Sequence, residues 1–215
     1  MNRDVKKFVI LGEGTSDSML EYPLRWLLSH HGFLEKYEFD NSKVLNLKSN
    51  SLKTESKVQA LLACTQPDVL FIHRDGDGAG YEARKAEIVN ACSYENSVKC
   101  IPVVPVKMLE SWFLSDLNAI RIAAGNPKGH AEIHLPNFKQ LEQISNPKEK
   151  LFDYLRTAAD LKGRRLKKFK PHKARRLVAE EIKSFRPLLD LPSFSELSQE
   201  IQQLVSYLNK PLPWN

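Results

Sequence analysis

The sequence predicts an α/β protein in which a mostly parallel β-sheet is flanked by helices and followed by a helical C-terminal extension. Two observations predict this class. Through the first half of the chain, short apolar runs of strand length alternate with segments of helical periodicity, a pattern typical of parallel sheets covered by helices. The second half keeps the helical periodicity but has no further strand pattern.

The predicted strands are short runs rich in β-branched and apolar residues. Lys6 to Leu11 is the first and Asp68 to His73 is the clearest, and a polar turn with glycine follows each of them. Val44 to Leu47 is a weaker candidate. Val98 to Val106 contains two prolines, and because proline cannot donate to a sheet ladder, we expect this strand at a sheet edge or a strand end.

The predicted helices have apolar residues three or four positions apart. The first runs from Asp17 to about His31, where Pro23 predicts a kink or a break. The other predicted helices are Lys53 to Ala63, Tyr81 to Cys92, Met108 to Leu114, Leu117 to Ala124, Phe138 to Ile144, Pro147 to Ala159, Lys173 to Phe185 and Phe194 to Leu208. We therefore predict an α/β domain over residues 1–125 and a helical region over residues 126–215 that packs on this domain or is appended to it.

Composition narrows the class of protein. The chain has 215 residues, of which 42% are hydrophobic, enough for one domain with a substantial core. Its three cysteines form no CxxC pair, so neither a disulfide framework nor a zinc site is predicted. No segment approaches the ~18 apolar residues of a membrane span, and the start of the chain lacks a signal-peptide pattern. We expect a cytoplasmic protein with no membrane partner.

Acidic residues follow two of the predicted strands directly. Glu13 comes after the first strand, and Asp75 and Asp77 come after the strand that ends at His73. Because ligands bind beyond the carboxyl ends of parallel strands, these side chains should open on one edge of the sheet. Carboxylates gathered there would repel one another without a cation, and their hard oxygens suit Mg²⁺ or Mn²⁺. The alternative is an ordinary turn, since turns are rich in Asp and Gly.

A basic run lies in the second half of the chain. Nine of the fifteen residues from Lys162 to Arg176 are Lys or Arg, and none is acidic. This pattern indicates a phosphate-rich partner, although a solvated helix surface is the alternative interpretation. The candidate nucleic-acid-binding residues are Lys107, which follows the last predicted strand, and Arg164, Arg165, Lys167, Lys168, Lys170, Lys173, Arg175 and Arg176 of the run.

The motifs ILGEGTSD around Glu13 and RDGDG around Asp75 together resemble the Toprim domain of primases, topoisomerases and OLD-type nucleases. The later segment VPVVPVKMLESWFLSD is similar to a group of small Toprim-like proteins in which a Glu-x-Trp segment, here Glu110 to Trp112, lies near the acidic site. The resemblance covers about half of the chain, from Phe8 to Asp116. The chain departs from it in having no GxxxxGK[ST] loop, no second primase domain and no catalytic tyrosine context.

The resemblance implies a role for each acidic residue. Glu13 would be a general acid/base or a metal ligand, Asp75 and Asp77 would hold Mg²⁺, and Asp17 matches an acidic position of OLD-like members. The residues after the last strand leave Glu110 open: it completes the metal shell and acts as an accessory acid, or it is an ordinary surface charge at a helix start. Genes of this kind often accompany ATPases of defence or mobile-element systems, so an ATPase partner in trans and a role in antiphage defence are implied as well.

Three functions follow from these patterns. The preferred hypothesis is a metal-dependent nuclease of the Toprim type that cleaves phosphodiester bonds in DNA or RNA. The second is a non-catalytic nucleic-acid-binding or regulatory subunit whose acidic edge binds metal structurally. The third is a phosphatase of the haloacid-dehalogenase type. We rank it last because that fold places its DxD after the first strand, where this chain has Glu13.

Overall fold

A computed structural model describes residues 5–40, 53–94 and 97–209 of the chain. It confirms the α/β class. Four parallel strands form one sheet in the order β2-β1-β3-β4, with β1 at Lys6–Leu11, β2 at Tyr37–Phe39, β3 at Val69–His73 and β4 at Lys99–Val103. Within these ranges, no helix combines the length and the apolar character needed to cross a membrane.

The strands differ from the sequence prediction at one edge of the sheet. β1, β3 and β4 were predicted, and β4 lies at an edge, where its proline removes no bond to a further strand. β2 was not predicted, because it is only three residues long and its side chains are partly exposed. The weaker candidate at Val44 to Leu47 lies outside the described residues.

Nine helices occupy the described part of the chain: α1 Glu21–His30, α2 Thr54–Cys64, α3 Tyr81–Cys92, α4 Glu110–Phe113, α5 Leu117–Ala123, α6 Pro147–Ala159, α7 Gly163–Lys168, α8 Pro171–Glu181 and α9 Pro192–Leu208. Short 3-10 helices span Thr15–Leu20, Phe138–Gln143 and Arg186–Asp190. The predicted break near Pro23 is the change from the first 3-10 helix to α1. Pro23 lies in the first turn of α1, where an amide has no partner within the helix.

The basic run forms α7 and the first half of α8. The sequence predicted a helix only from Lys173, and α7 was missed. None of the residues of α7 is buried, so this helix has no apolar face whose periodicity could reveal it.

The two faces of the sheet are covered by different sets of helices. Val9 and Leu70 point to the face covered by α2 and α3, whereas Phe8 and Phe71 point to the face covered by α1 and by helices of the C-terminal region. On the second face one hydrophobic cluster joins residues from both sides of position 125. Trp112 of α4 packs edge-on against Phe194 of α9, with ring centroids 5.0 Å apart. The C-terminal region is therefore packed on the sheet.

Candidate functional site

The acidic segments after β1 and β3 begin at the same edge of the sheet. β1 and β3 are parallel neighbours, with Leu11 opposite Ile72, so Glu13 and Asp75 both follow the carboxyl ends of adjacent strands. The segment after β4 joins them there, because the Leu109 N–H donates a hydrogen bond to Asp75 Oδ1 at 3.1 Å. We call this region the carboxyl edge and define it by Glu13, Asp75 and Asp77.

Gly76 lets the loop after β3 run directly against the segment after β4. Its N–H donates to the carbonyl of Pro105 at 3.0 Å, and a Cβ at this position would lie 2.5 Å from the carbonyl oxygen of Val106. The next amide, that of Asp77, donates to the carbonyl of Lys107 at 3.1 Å. Because no larger residue fits between the two segments, the backbone of Gly76 holds both neighbouring aspartates in place.

Asp75 and Asp77 leave carboxylate oxygens open at this edge. Asp75 Oδ1 accepts the Leu109 N–H and faces His73 Nε2 at 3.4 Å, and the side chain is 30% exposed. The Asp77 side chain is exposed, and within the described ranges it has no ion pair or hydrogen bond. The pair therefore offers hard oxygen atoms to solvent at the point where the sequence predicted a cation.

His73, at the end of β3, is a buried histidine beside Asp75. Its Nδ1 donates to the carbonyl of Val103 at 2.9 Å and its Nε2 lies 3.4 Å from Asp75 Oδ1, so both ring nitrogens face acceptors, an arrangement that favours the protonated ring. Burial acts to lower the pKa of His73, but the hydrogen bond to Asp75 and the charges of Asp17 and Asp75 outweigh it and raise the pKa to about 9. The ring is 2% exposed.

The protonation of His73 should make the stability of the metal-free protein depend on pH. Below the unfolded pKa of about 6.5 both states hold the proton, and the raised folded pKa contributes its full stabilisation of roughly 3 kcal/mol. This contribution is lost as the pH rises through about 9, the folded pKa. Urea unfolding in EDTA across this range measures the loss. The His73→Gln variant should lack it, and equal pH profiles for the two proteins would contradict the assignment.

Glu13 is held by an arginine from the neighbouring strand. Arg74 Nε lies 2.6 Å from Glu13 Oε1 in a charge pair that is not an aligned hydrogen bond, since the N–H points elsewhere. Arg74 Nη1 lies 3.0 Å from Glu87 Oε1 and 2.8 Å from the hydroxyl of Thr54. In this structure Arg74 pairs with two carboxylates.

Asp17 shapes the turn that presents Glu13. Its Oδ2 accepts the backbone N–H groups of Glu13, at 2.5 Å, and Gly14, at 3.0 Å. Its side chain occupies the space next to Gly12, where an added Cβ would clash with Asp17 Oδ2. Asp17 is 8% exposed, so the acidic position of the Toprim resemblance supports the backbone and is not presented to solvent.

Glu110 and Arg175 form a buried ion pair between α4 and α8. Arg175 Nη1 binds Glu110 Oε1, and the two side chains are 15% and 7% exposed. The sequence placed Glu110 beside the metal and Arg175 on a nucleic-acid backbone. The structure turns these two residues towards each other instead, and the neighbouring Leu109 contacts Asp75 through its backbone N–H.

The carboxyl edge has the donor chemistry of a Mg²⁺ or Mn²⁺ site but is not assembled around one point. In residues 5–40, 53–94 and 97–209, no three His, Cys, Asp or Glu side chains are placed so that they could hold one ion. Asp75 and Asp77 could ligate an ion with the oxygens they leave open. Glu13, whose Oε1 contacts Arg74, is not grouped with them around one ion.

The other predicted cations form an exposed surface. We define the basic surface by the exposed side chains of α7, α8 and the turn between them: Arg164, Arg165, Lys167, Lys168, Lys170, Lys173 and Arg176. None of these has an acidic partner within 4.0 Å among the residues that the structure describes. Lys107 is half-buried behind the Asp77 loop. Trp112 and Phe113 are fully buried and belong to the hydrophobic core.

No family model matches the chain, and neither a curated protein nor a solved structure matches it. The Toprim resemblance thus stays a prediction from the motifs around Glu13, Asp75 and Glu110. Any function has to be argued from the geometry of the carboxyl edge and the basic surface.

Proposed function

We propose that this protein is a metal-dependent nuclease of the Toprim type that cleaves phosphodiester bonds in DNA or RNA. One observation carries the proposal: Glu13 and the pair Asp75 and Asp77 follow neighbouring parallel strands at one edge of the sheet. In α/β sheets this edge is where ligands bind. The cations of the basic surface, which have no acidic partner among the described residues, supply the matching attraction for a phosphate backbone.

Each residue of the carboxyl edge has a distinct task in this proposal. Asp75 and Asp77 would hold Mg²⁺ or Mn²⁺, which when bound would polarise a phosphoryl oxygen and lower the pKa of a water molecule. The hydrogen bond from Leu109 and the contact with His73 fix one oxygen of Asp75, so its other oxygen remains for the ion. Gly76 fixes the separation of the two aspartates.

Glu13 and Arg74 would act together on the substrate. The Glu13 side chain is 41% exposed, so it can reach a bound phosphate and exchange a proton with the attacking water or the leaving oxygen. Arg74 would exchange its contact with Glu13 for one with the phosphate, because a guanidinium binds two phosphate oxygens at once. This exchange would free Glu13 when substrate arrives.

A second function is favoured by the charge pairs at the same edge. Arg74 neutralises Glu13, the His73 cation faces Asp75, and Arg175 neutralises Glu110. Cationic side chains thus compensate much of the acidic charge without a metal. This arrangement suits a nucleic-acid-binding or regulatory subunit without turnover, acting with an ATPase partner in trans.

Metal dependence of cleavage distinguishes the two functions. We expect purified protein to nick or degrade plasmid DNA, single-stranded DNA or RNA with Mg²⁺ or Mn²⁺ and to be inactive in EDTA, because the carboxylates alone cannot polarise a phosphate. Binding that survives EDTA, with no cleavage under any of these conditions, would support the subunit instead. A small phosphate ester is included as a control, since its turnover would indicate a phosphatase.

A further inference from the structure

An open groove lies within the basic surface, between α7, α8 and the end of α5. It encloses about 550 Å³, and its lining includes Lys168, Phe169, Lys170, Lys173, Ala174 and Leu177. We call it the α7–α8 groove. It lies in the basic run, and the roles proposed for the carboxyl edge do not use it.

The lining combines an apolar floor with a cationic rim. Lys173, Ala174 and Leu177 are one and three positions apart on one face of α8, and Lys170 lies just before the helix begins. Phe169, in the turn before α8, is half-buried and packs against the hydrophobic core. Its ring is thus anchored by the core and also lines the groove.

The charge of the rim is uncompensated. Lys168, Lys170 and Lys173 are exposed and make no ion pair with any described acidic residue. An acidic protein would use only the charge of the rim. A duplex would offer only its phosphate backbone, because the faces of its bases are stacked inside. A single strand presents a phosphate and an unstacked base together. A single strand is therefore the partner that can contact both the rim and the floor of the groove.

We propose that the α7–α8 groove binds single-stranded DNA or RNA, with a base on the ring of Phe169 and the flanking phosphates on the lysines of the rim. The proposal rests on the proposed function, because it takes nucleic acid as the partner. It adds that this nucleic acid is single-stranded. Because stacking does not depend on base identity, binding should show little sequence preference.

The test is equilibrium binding of the full chain in EDTA to an oligonucleotide that contains 2-aminopurine, as a single strand and as a duplex. We expect tighter binding of the single strand and quenching of the 2-aminopurine fluorescence by stacking. Phe169→Leu, which keeps the packing but removes the aromatic face, should weaken single-strand binding by about 5- to 100-fold. Phe169→Tyr should retain the affinity and the quenching.

The rim is tested separately by salt dependence. Replacing Lys168, Lys170 and Lys173 together with glutamine should make the slope of log K against log salt less steep by about 2, since each phosphate contact contributes about 0.7 for a single strand. The matched control replaces the exposed lysines Lys128, Lys139 and Lys148 with glutamine. It changes the net charge equally and should leave the slope nearly unchanged.

Three results would contradict the proposal that the α7–α8 groove binds single strands. Duplex could bind as tightly as the single strand, Phe169→Leu could bind and quench like the native protein, or vesicles with anionic lipid could compete fully for the same lysines. Failure of the nuclease is a different result. Single-strand binding that depends on Phe169, without cleavage in Mg²⁺ or Mn²⁺, would support the groove proposal and contradict the nuclease proposal.

Discussion

Replacing Asp75 with asparagine should lower the rate of Mg²⁺-dependent cleavage by about 10²- to 10⁴-fold and leave single-strand binding in EDTA unchanged. Asparagine keeps the oxygen that accepts the Leu109 N–H but loses the charge that holds a divalent cation. Single-turnover cleavage at saturating protein measures the chemical step. The binding isotherm in EDTA shows that the basic surface is intact.

Two further variants and one control give this experiment its specificity. Asp77→Asn and Glu13→Gln change charge at the same edge and should also reduce cleavage, whereas neither should alter binding in EDTA. Asp153→Asn changes an exposed aspartate of α6 whose partner is Arg156, and it should cleave like the native protein. If Asp75→Asn cleaves as fast as Asp153→Asn does, the carboxyl edge is not the site of the chemistry.

Replacing Arg175 with methionine should lower the free energy of unfolding by about 3 to 5 kcal/mol. Glu110 is buried and Arg175 is its charge partner, so the change leaves a carboxylate uncompensated in the interior, a defect that typically costs this much. Urea unfolding followed by tryptophan fluorescence measures the change, because Trp112 lies on the same helix as Glu110.

Arg176 provides a matched control for this prediction. It is the next residue along α8, exposed and without an acidic partner among the described residues. Arg176→Met should change the free energy of unfolding by less than about 0.5 kcal/mol and weaken nucleic-acid binding, the reverse of the effects of Arg175→Met. The double variant Glu110→Gln with Arg175→Met should recover much of the loss, since both charges are gone. Equal stability losses in the two single arginine variants would contradict the buried pair.

The elements that the sequence predicted well are those whose signals are local. α3 and α6 have the bounds predicted for them, because a glycine turn or a first-turn proline marks where each begins and apolar spacing covers the rest. β2 could not be predicted in this way. It is a strand only because three residues pair with Lys6, Lys7 and Phe8 of β1, and that pairing leaves no pattern within the segment itself.

The candidate site also has a part that the sequence predicts and a part that it does not. That Glu13 and Asp75 share an edge follows from the alternation of strands and helices, without any knowledge of side chains. Which cation neutralises which carboxylate does not follow. Arg175 and Glu110 are 65 positions apart, and Arg175 and Arg176 look equivalent in a run of basic residues. Only the direction in which α8 packs sends one inward and leaves the other exposed.

The shared cluster under the sheet has a consequence for the order in which the chain can fold during synthesis. Leu24 and Leu27 of α1 belong to the same fully buried cluster as Phe194 and Ile201 of α9. α9 is synthesised after α1 and covers part of the apolar surface that α1 presents. Until α9 emerges, the part of that surface which α9 covers stays open to water and to chaperones.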